Sequence, residues 1–272
     1  MTALGFAFMR KALIASTVVC AVAPLVGIFV VQRRQSLIGD GIGHVAFAGV
    51  GLAFLVGADP LLGALALTVV AAVALQRMRR GGLGGDLSLA LVFYGGIASG
   101  FLFASRTGSG ANSLLGVLFG SSLNLSWGQV GAVIALSAAV LAVVVAAYRP
   151  LLALCFDEAA ARVSGVPTEG LALTLTLVVA LVVVGGMHAI GLLLVSAMMV
   201  LPVAAAAQLA RSHRTTMLAA SLIGAASALV GLLAAFYADH SPGASIVLTA
   251  IGGYLLAAGA KRVGRRRRGG QR

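Results

Sequence analysis

No Asp, Glu, Lys or Arg stands between Glu169 and Arg211, and none between Arg106 and Arg149. Runs of that length have one physical home. A helix rises about 1.5 Å per residue, so roughly 20 apolar residues cross the ~30 Å hydrocarbon layer of a bilayer. Composition agrees, because 60% of the 272 residues are hydrophobic and only 10% charged, against about 25% charged in soluble domains. Mean hydropathy is +1.07. So few polar residues cannot cover a soluble core. A collagen, a disordered chain and a disulfide scaffold are excluded as well, since glycine has no period, Leu, Val and Ala abound, and there are two cysteines. The expected class is an all-α polytopic membrane protein.

The charge-free runs predict spans over 12–31, 41–58, 60–76 and 87–105. The gap after Arg106 is too long for one span and awkward for two. The polar cluster Ser121, Ser122, Asn124, Ser126 divides it into a short apolar piece at 111–120 and a span at 127–148. Residues 170–210 suit two helices broken around Gly185-Gly186-Met187-His188, and spans at 215–238 and 241–260 complete nine. An eight-span arrangement stays open. Arg10-Lys11 ahead of an apolar stretch imitates a secretion signal, and Ala21-Val22-Ala23 a cleavage site. Pro24 directly after that site argues against cleavage, so the segment is read as a retained helix.

Alternating sides along the nine spans divides the Lys and Arg residues unequally. One side collects Arg33, Arg34, Arg77, Arg79, Arg80, Arg149, Arg162, Arg211, Arg214 and the seven of the tail from Lys261 to Arg272, sixteen in all; the other has Arg10, Lys11 and Arg106. The rich side is cytoplasmic, which puts the amino terminus outside. The same distribution explains the net charge of +12 as a topology signal and not as a nucleic-acid surface. Residues 1–264 are expected to form a single transmembrane domain, followed by a basic cytoplasmic tail at 265–272.

The longest cytoplasmic connection carries its own helix signals. Asp157 suits an N-cap, Glu158 the positive end of a helix dipole, and Ala159-Ala160-Ala161-Arg162 the helix body. Gly165 fits a left-handed terminating position with Pro167 beyond it. The product is either an ordinary loop helix or a rigid knob for a cytoplasmic partner. Lys11 and Lys261 are the only lysines, and neither follows a glycine-rich phosphate loop. If ATP drives this chain, another subunit binds it.

Ionisable residues within the apolar runs are costly and usually functional. Asp40 and His44 stand four apart, on one helical face. A carboxylate oxygen with an imidazole nitrogen suits Zn2+ or Mn2+ better than Ca2+ or Mg2+. The alternative is a helix cap with its own His partner. Glycines at 39, 41 and 43 would permit an irregular, cavity-lining backbone there. His188 is expected at an outer break and Asp239-His240 in the next outer loop, all as solvated interfacial groups, with His213 as ordinary cytoplasmic surface. Pro202 and Gly185-Gly186 are candidate bending points.

Four stretches, in order along nearly the whole chain, resemble the permease family of zinc/manganese-type metal-uptake ABC transporters. They are Phe8-Met9-Arg10-Lys11-Ala12-Leu13, then Ser36-Leu37-Ile38-Gly39-Asp40-Gly41-Ile42-Gly43-His44, then Phe156-Asp157-Glu158-Ala159-Ala160-Ala161-Arg162-Val163-Ser164-Gly165-Val166, and finally Gly191-Leu192-Leu193-Leu194-Val195-Ser196-Ala197-Met198-Met199-Val200-Leu201-Pro202 with Pro242-Gly243-Ala244-Ser245. The resemblance implies a homodimeric permease of the bacterial inner membrane. It would have cytoplasmic ATP-binding subunits beneath it and an extracytoplasmic metal-binding protein delivering cargo. It implies that Asp40 and His44 contact the metal and that Asp157, Glu158, Ala159, Ala160, Arg162 and Gly165 form the ATPase coupling helix. No permanently bound cofactor is implied; a divalent ion (Zn2+, Mn2+ or Fe2+) is the transported substrate. Gly43 stands where members often have Ser or Ala, and Val203-Ala204-Ala205 where they have a Thr.

Three competing readings remain at this level. A secondary metal transporter would need more ionisable groups inside the spans. An ABC permease for a metal chelate or vitamin would leave the acid–His pair idle. A membrane enzyme would need a further ligand cluster.

Overall fold

The computed structural model describes residues 6–106 and 125–269, with the side chains of 193 and 263–269 left aside. Among the described residues there are eleven helices and no strand. They are α1 (Ala7–Gln32), α2 (Ile38–Val56), α3 (Pro60–Arg80), α4 (Gly85–Arg106), α5 (Trp127–Ala146), α6 (Tyr148–Phe156), α7 (Glu158–Val163), α8 (Thr168–Gly186), α9 (Leu192–Leu209), α10 (His213–Ala238) and α11 (Pro242–Gly269). Eight are long and apolar enough to cross a membrane, and α9 is a shorter apolar ninth. The expected all-α polytopic class is what the chain adopts. The apolar piece expected at 111–120 lies outside the described residues, and α11 runs on past the expected end at 260.

Local chemistry sets the boundaries. Asp59 accepts from the Leu61 and Leu62 amides at 2.8 and 3.1 Å and opens α3 ahead of Pro60. Ser126 with Gln129, and Ser212 with Thr215, close capping boxes on α5 and α10. Asp157 caps α7 through the Ala159 and Ala160 amides at 2.9 and 3.0 Å, and Gly165 takes the left-handed turn at φ 81°. The α8–α9 break falls at 187–190, two residues later than expected, with Gly185 and Gly186 still in α8. Gly191 at φ 103° restarts the helix, in a conformation closed to side chains with a Cβ.

The packing has two groups. One is α2 with α3 and α4; the other is α1 with α9, α10 and α11, and α8 lies between them against α3, α2, α5 and α1. Close backbone contact needs missing side chains, and here the glycines find their use. A Cβ on Gly27 would overlap the Met199 carbonyl oxygen, one on Gly224 the Cys20 carbonyl, and Gly49 and Gly63 meet across α2 and α3. Helix α2 is the most enclosed span, with 72% of its most apolar stretch buried, against 22% for α4, α5 and α11.

Charges sort to opposite ends of the bundle as the Lys and Arg count implied. At one end Arg80 pairs with Glu169 at 2.8 Å and Arg33 with Glu158 at 2.9 Å. At the other, the Lys11 ammonium lies 5.4 Å from the Trp127 ring.

Candidate metal-receiving site

Asp40 sits in the first turn of α2, where a negative charge faces the positive end of the helix dipole. It is half-buried, and the Ser196 hydroxyl of α9 donates to its Oδ1. That bond joins the two helix groups. His44 follows one turn on, also half-buried, with its ring edge-on to Phe93 of α4 at 4.7 Å between centroids.

The glycines around this pair do something other than loosen the backbone. Residues 38 to 56 are regular helix, so the expected irregular segment is absent. Gly39 allows α9 to approach, since a Cβ there would lie 2.9 Å from the Ser196 Cβ. Gly41 accommodates Leu89 and Gly43 faces Leu192 at 3.4 Å. On α4, a Cβ at Gly96 would stand 2.7 Å from the Val45 amide nitrogen. Without these small residues neither Ser196 nor Phe93 could reach the pair.

Ser196 and Phe93 carry no role in the sequence reading. Ser196 stood inside the quoted Leu192 to Pro202 motif as one small residue among apolar ones, and its partner is 156 positions away. The only available signal was a lone hydroxyl in an apolar run.

The other candidates spread out. His188 is half-buried and not a solvated surface group. The turn holding it is recessed, because Ser16 Oγ of α1 donates to Ala189 O at 3.4 Å, roughly 8 Å along α1 from Lys11 at ~1.5 Å per residue. Asp239 and His240 are exposed, as expected, with Asp239 ending α10 at φ 54°. His213 differs from expectation. Gln32 Nε2 lies 2.9 Å from its Nδ1, and Phe29 and Tyr148 flank the ring at 5.4 and 5.7 Å. Pro202 lies inside a continuous α9.

The cytoplasmic end presents a separate assembly. Glu158 of α7 holds Arg33 from the α1–α2 link, and Arg162 approaches the same carboxylate at 3.6 Å. These groups line a polar cavity of about 510 Å3 with Arg79, Arg80 and Glu169. Arg33 is 12% exposed and Glu158 45%.

The profile of the ABC 3 transport family matches residues 5–260. The manganese transport system membrane protein MntC of Halalkalibacterium halodurans is 30% identical over 256 residues, 93% of this chain and 87% of that one. The manganese import system permease protein ScaB of Streptococcus gordonii is 30% identical, over 90% of this chain and 88% of its own. Among solved structures, a chain of PsaBC from Streptococcus pneumoniae in complex with Fab superposes with a TM-score of 0.85 at 29% identity, covering 93% of this chain and 92% of that one.

Proposed function

The chain belongs to the ABC 3 transport family, and from that premise we propose that Asp40 and His44 receive the divalent cation it carries. The protein is the membrane permease subunit of a metal-importing ABC transporter, a multi-pass protein of the bacterial inner membrane. It is a transport component, and the metal is its cargo. Mn2+ is the favoured ion, since relatives at 30% identity are named for manganese; Zn2+ and Fe2+ suit the same donors. ATP is hydrolysed by a separate cytoplasmic subunit that grips α7 through Asp157, Glu158, Ala159, Ala160, Arg162 and Gly165. An extracytoplasmic binding protein supplies the ion, and two copies of the permease form the pathway. Residues 1–264 act as one permease domain, with the basic tail at 265–272 in the cytoplasm.

One observation carries the site. The acid and the imidazole stand one turn apart on the most enclosed helix, and a hydroxyl from the other helix group holds the carboxylate. A carboxylate inside a membrane protein is expensive unless it has work to do. In proteoliposomes with ATPase and loaded binding protein, Asp40→Asn and His44→Ala each abolish uptake of radiolabelled Mn2+, while expression and ATPase co-purification persist. Normal uptake by both variants would reduce the pair to a helix cap.

A further inference from the structure

A second pair of metal-type donors lies outside the site just described. A cavity of about 350 Å3 opens where α3 begins, between the first turns of α5 and the end of α8, and Asp59 and His188 are the two ionisable groups in its lining. This is the end of the bundle that carries Lys11 and Trp127, opposite the arginine-rich end, and so the extracytoplasmic one.

Among the described residues, the acceptor oxygens of the cavity's other polar side chains are already engaged. Ser126 and Gln129 satisfy each other's backbone in the α5 capping box. Asp59 uses Oδ1 to cap α3, and its Oδ2 has no hydrogen-bond partner among the described residues. Half-buried His188 makes no hydrogen bond among them either, and it lines the same cavity as the exposed Asp59. A half-buried imidazole normally finds a partner. Among the described lining residues, Asp59 supplies a carboxylate, and the cavity has room for several waters.

We propose that Asp59 and His188 form an outer subsite that accepts the hydrated divalent cation before it reaches Asp40 and His44. The inference rests on the proposed function, and it adds a second station on the same route. The donors repeat the inner pair, one carboxylate oxygen and one imidazole nitrogen, so the same borderline cation fits both. Two protein ligands completed by water make a weak, rapidly exchanging site, which is what a hand-over requires. The connection inward from His188 is short in sequence. Four residues after His188, Leu192 is fully buried and lies against Gly43, the neighbour of His44. Leu192 thus stands as the apolar barrier between the two stations.

The test uses the full-length permease in nanodiscs, with Mn2+ as the probe and bound ions counted by electron paramagnetic resonance. Asp59→Asn keeps the α3 cap, because Asn caps as well as Asp, and removes the charge. His188→Gln keeps a polar group of similar reach and removes the imidazole. Two ions per chain are expected for the wild type and one for either variant. Asp40→Asn should also lose one ion, and the Asp40→Asn/His188→Gln double variant both. In the reconstituted transporter, Asp59→Asn and His188→Gln raise the half-saturating concentration of metal-loaded binding protein about tenfold, equivalent to ~1.4 kcal/mol, with maximal ATPase rate unchanged. His188→Cys should restore the second ion for Cd2+, which is EPR-silent and is counted by elemental analysis, but not for Mn2+, since a thiolate prefers the softer metal. Unchanged stoichiometry and unchanged half-saturation in both outer variants would overturn the subsite while leaving the inner site standing. Loss of the ion in His188→Gln with no Cd2+ rescue in His188→Cys would overturn ligation by residue 188. Failure of the inner site is read separately, as normal uptake in Asp40→Asn.

Discussion

The Arg33–Glu158 bridge gives a prediction with a magnitude. Its gross Coulomb attraction at 2.9 Å is about 6 kcal/mol at an effective dielectric of ~20, but desolvation and ordering offset most of it. Exposed pairs keep roughly 0.2–1 kcal/mol, and removing one partner of a buried pair costs about 3–5. This pair lies between those limits, with Arg33 12% exposed and Glu158 45%. A coupling energy of about 1–2 kcal/mol follows, or roughly a 5- to 30-fold effect if the bridge carries force from the ATPase. The assay is a double-mutant cycle on Arg33→Ala and Glu158→Ala, read as ATP-driven Mn2+ uptake in proteoliposomes. The exchanged pair Arg33→Glu/Glu158→Arg should recover part of the activity that either reversal alone loses. Arg80–Glu169 is the internal control: at 2.8 Å it is as short, but its side chains are 50% and 52% exposed. Its coupling should stay near the bottom of the exposed range and vanish in high salt. Equal coupling in the two pairs, with both lost in salt, would refute the idea that the Arg33 bridge transmits motion.

Gly27→Ala should destabilise the permease by about 2 kcal/mol or more, because its Cβ collides with the α9 backbone at Met199; a lowered melting temperature in detergent checks it, and an unchanged one contradicts the packing. Ala160→Pro deletes the amide that Asp157 accepts at 3.0 Å and should leave uptake at background while basal ATP hydrolysis continues; an ATPase that still responds to loaded binding protein removes α7 from the coupling role. Burial pushes the Cys155 thiol up to about 11, so its thiolate is scarce at neutral pH. Maleimide labelling of the folded protein should be slow at pH 7 and accelerate with each step toward pH 11, whereas rapid labelling at pH 7 would show the thiol to be exposed.

Hydropathy and charge made the spans and their sidedness legible, because lipid punishes each misplaced charge by itself, without reference to neighbours. The α7 cap was legible for a similar reason: Asp157, Ala159 and Ala160 interact within one turn. What stayed hidden depends on partners far along the chain. Ser196 meets Asp40 only once α9 has docked on α2, and no local pattern announces it. Glycines 39, 41 and 43 were read as permitting an irregular backbone because their small size fits two purposes, and only the positions of Ser196, Leu89 and Leu192 reveal the packing one. His213 lay between two arginines and so looked like surface, yet Phe29 and Tyr148 enclose it. The α8–α9 break was found within two residues but at the wrong depth, since a run of apolar residues says how much helix there is and not where along its neighbours the helix stops.

These placements bear on how ATP hydrolysis can reach a site inside the membrane. Helix α2 is gripped on several sides by close contacts, at Gly39 by α9, at Gly49 by α3, and by Gly96 of α4 at its His44–Val45 backbone. Such a helix moves as a body or not at all. Its link to α1 is equally stiff: Arg34 takes a left-handed turn at φ 56°, and the amides of Arg34, Gln35 and Ile38 all bond back to nearby carbonyls. Under the proposed function, a displacement of α7 would pass through the Glu158–Arg33 bridge into the start of α2. The first feature it meets there is Asp40, and the first bond that must stretch is the one to Ser196, because that bond spans the two helix groups. Parting the groups there would release a carboxylate oxygen from the hydroxyl and change how Asp40 binds the cation. The Asp40–His44 pair lies in the first two turns of α2, beside the α1–α2 link, and under the proposed function that is where motion of the ATPase would arrive least diminished.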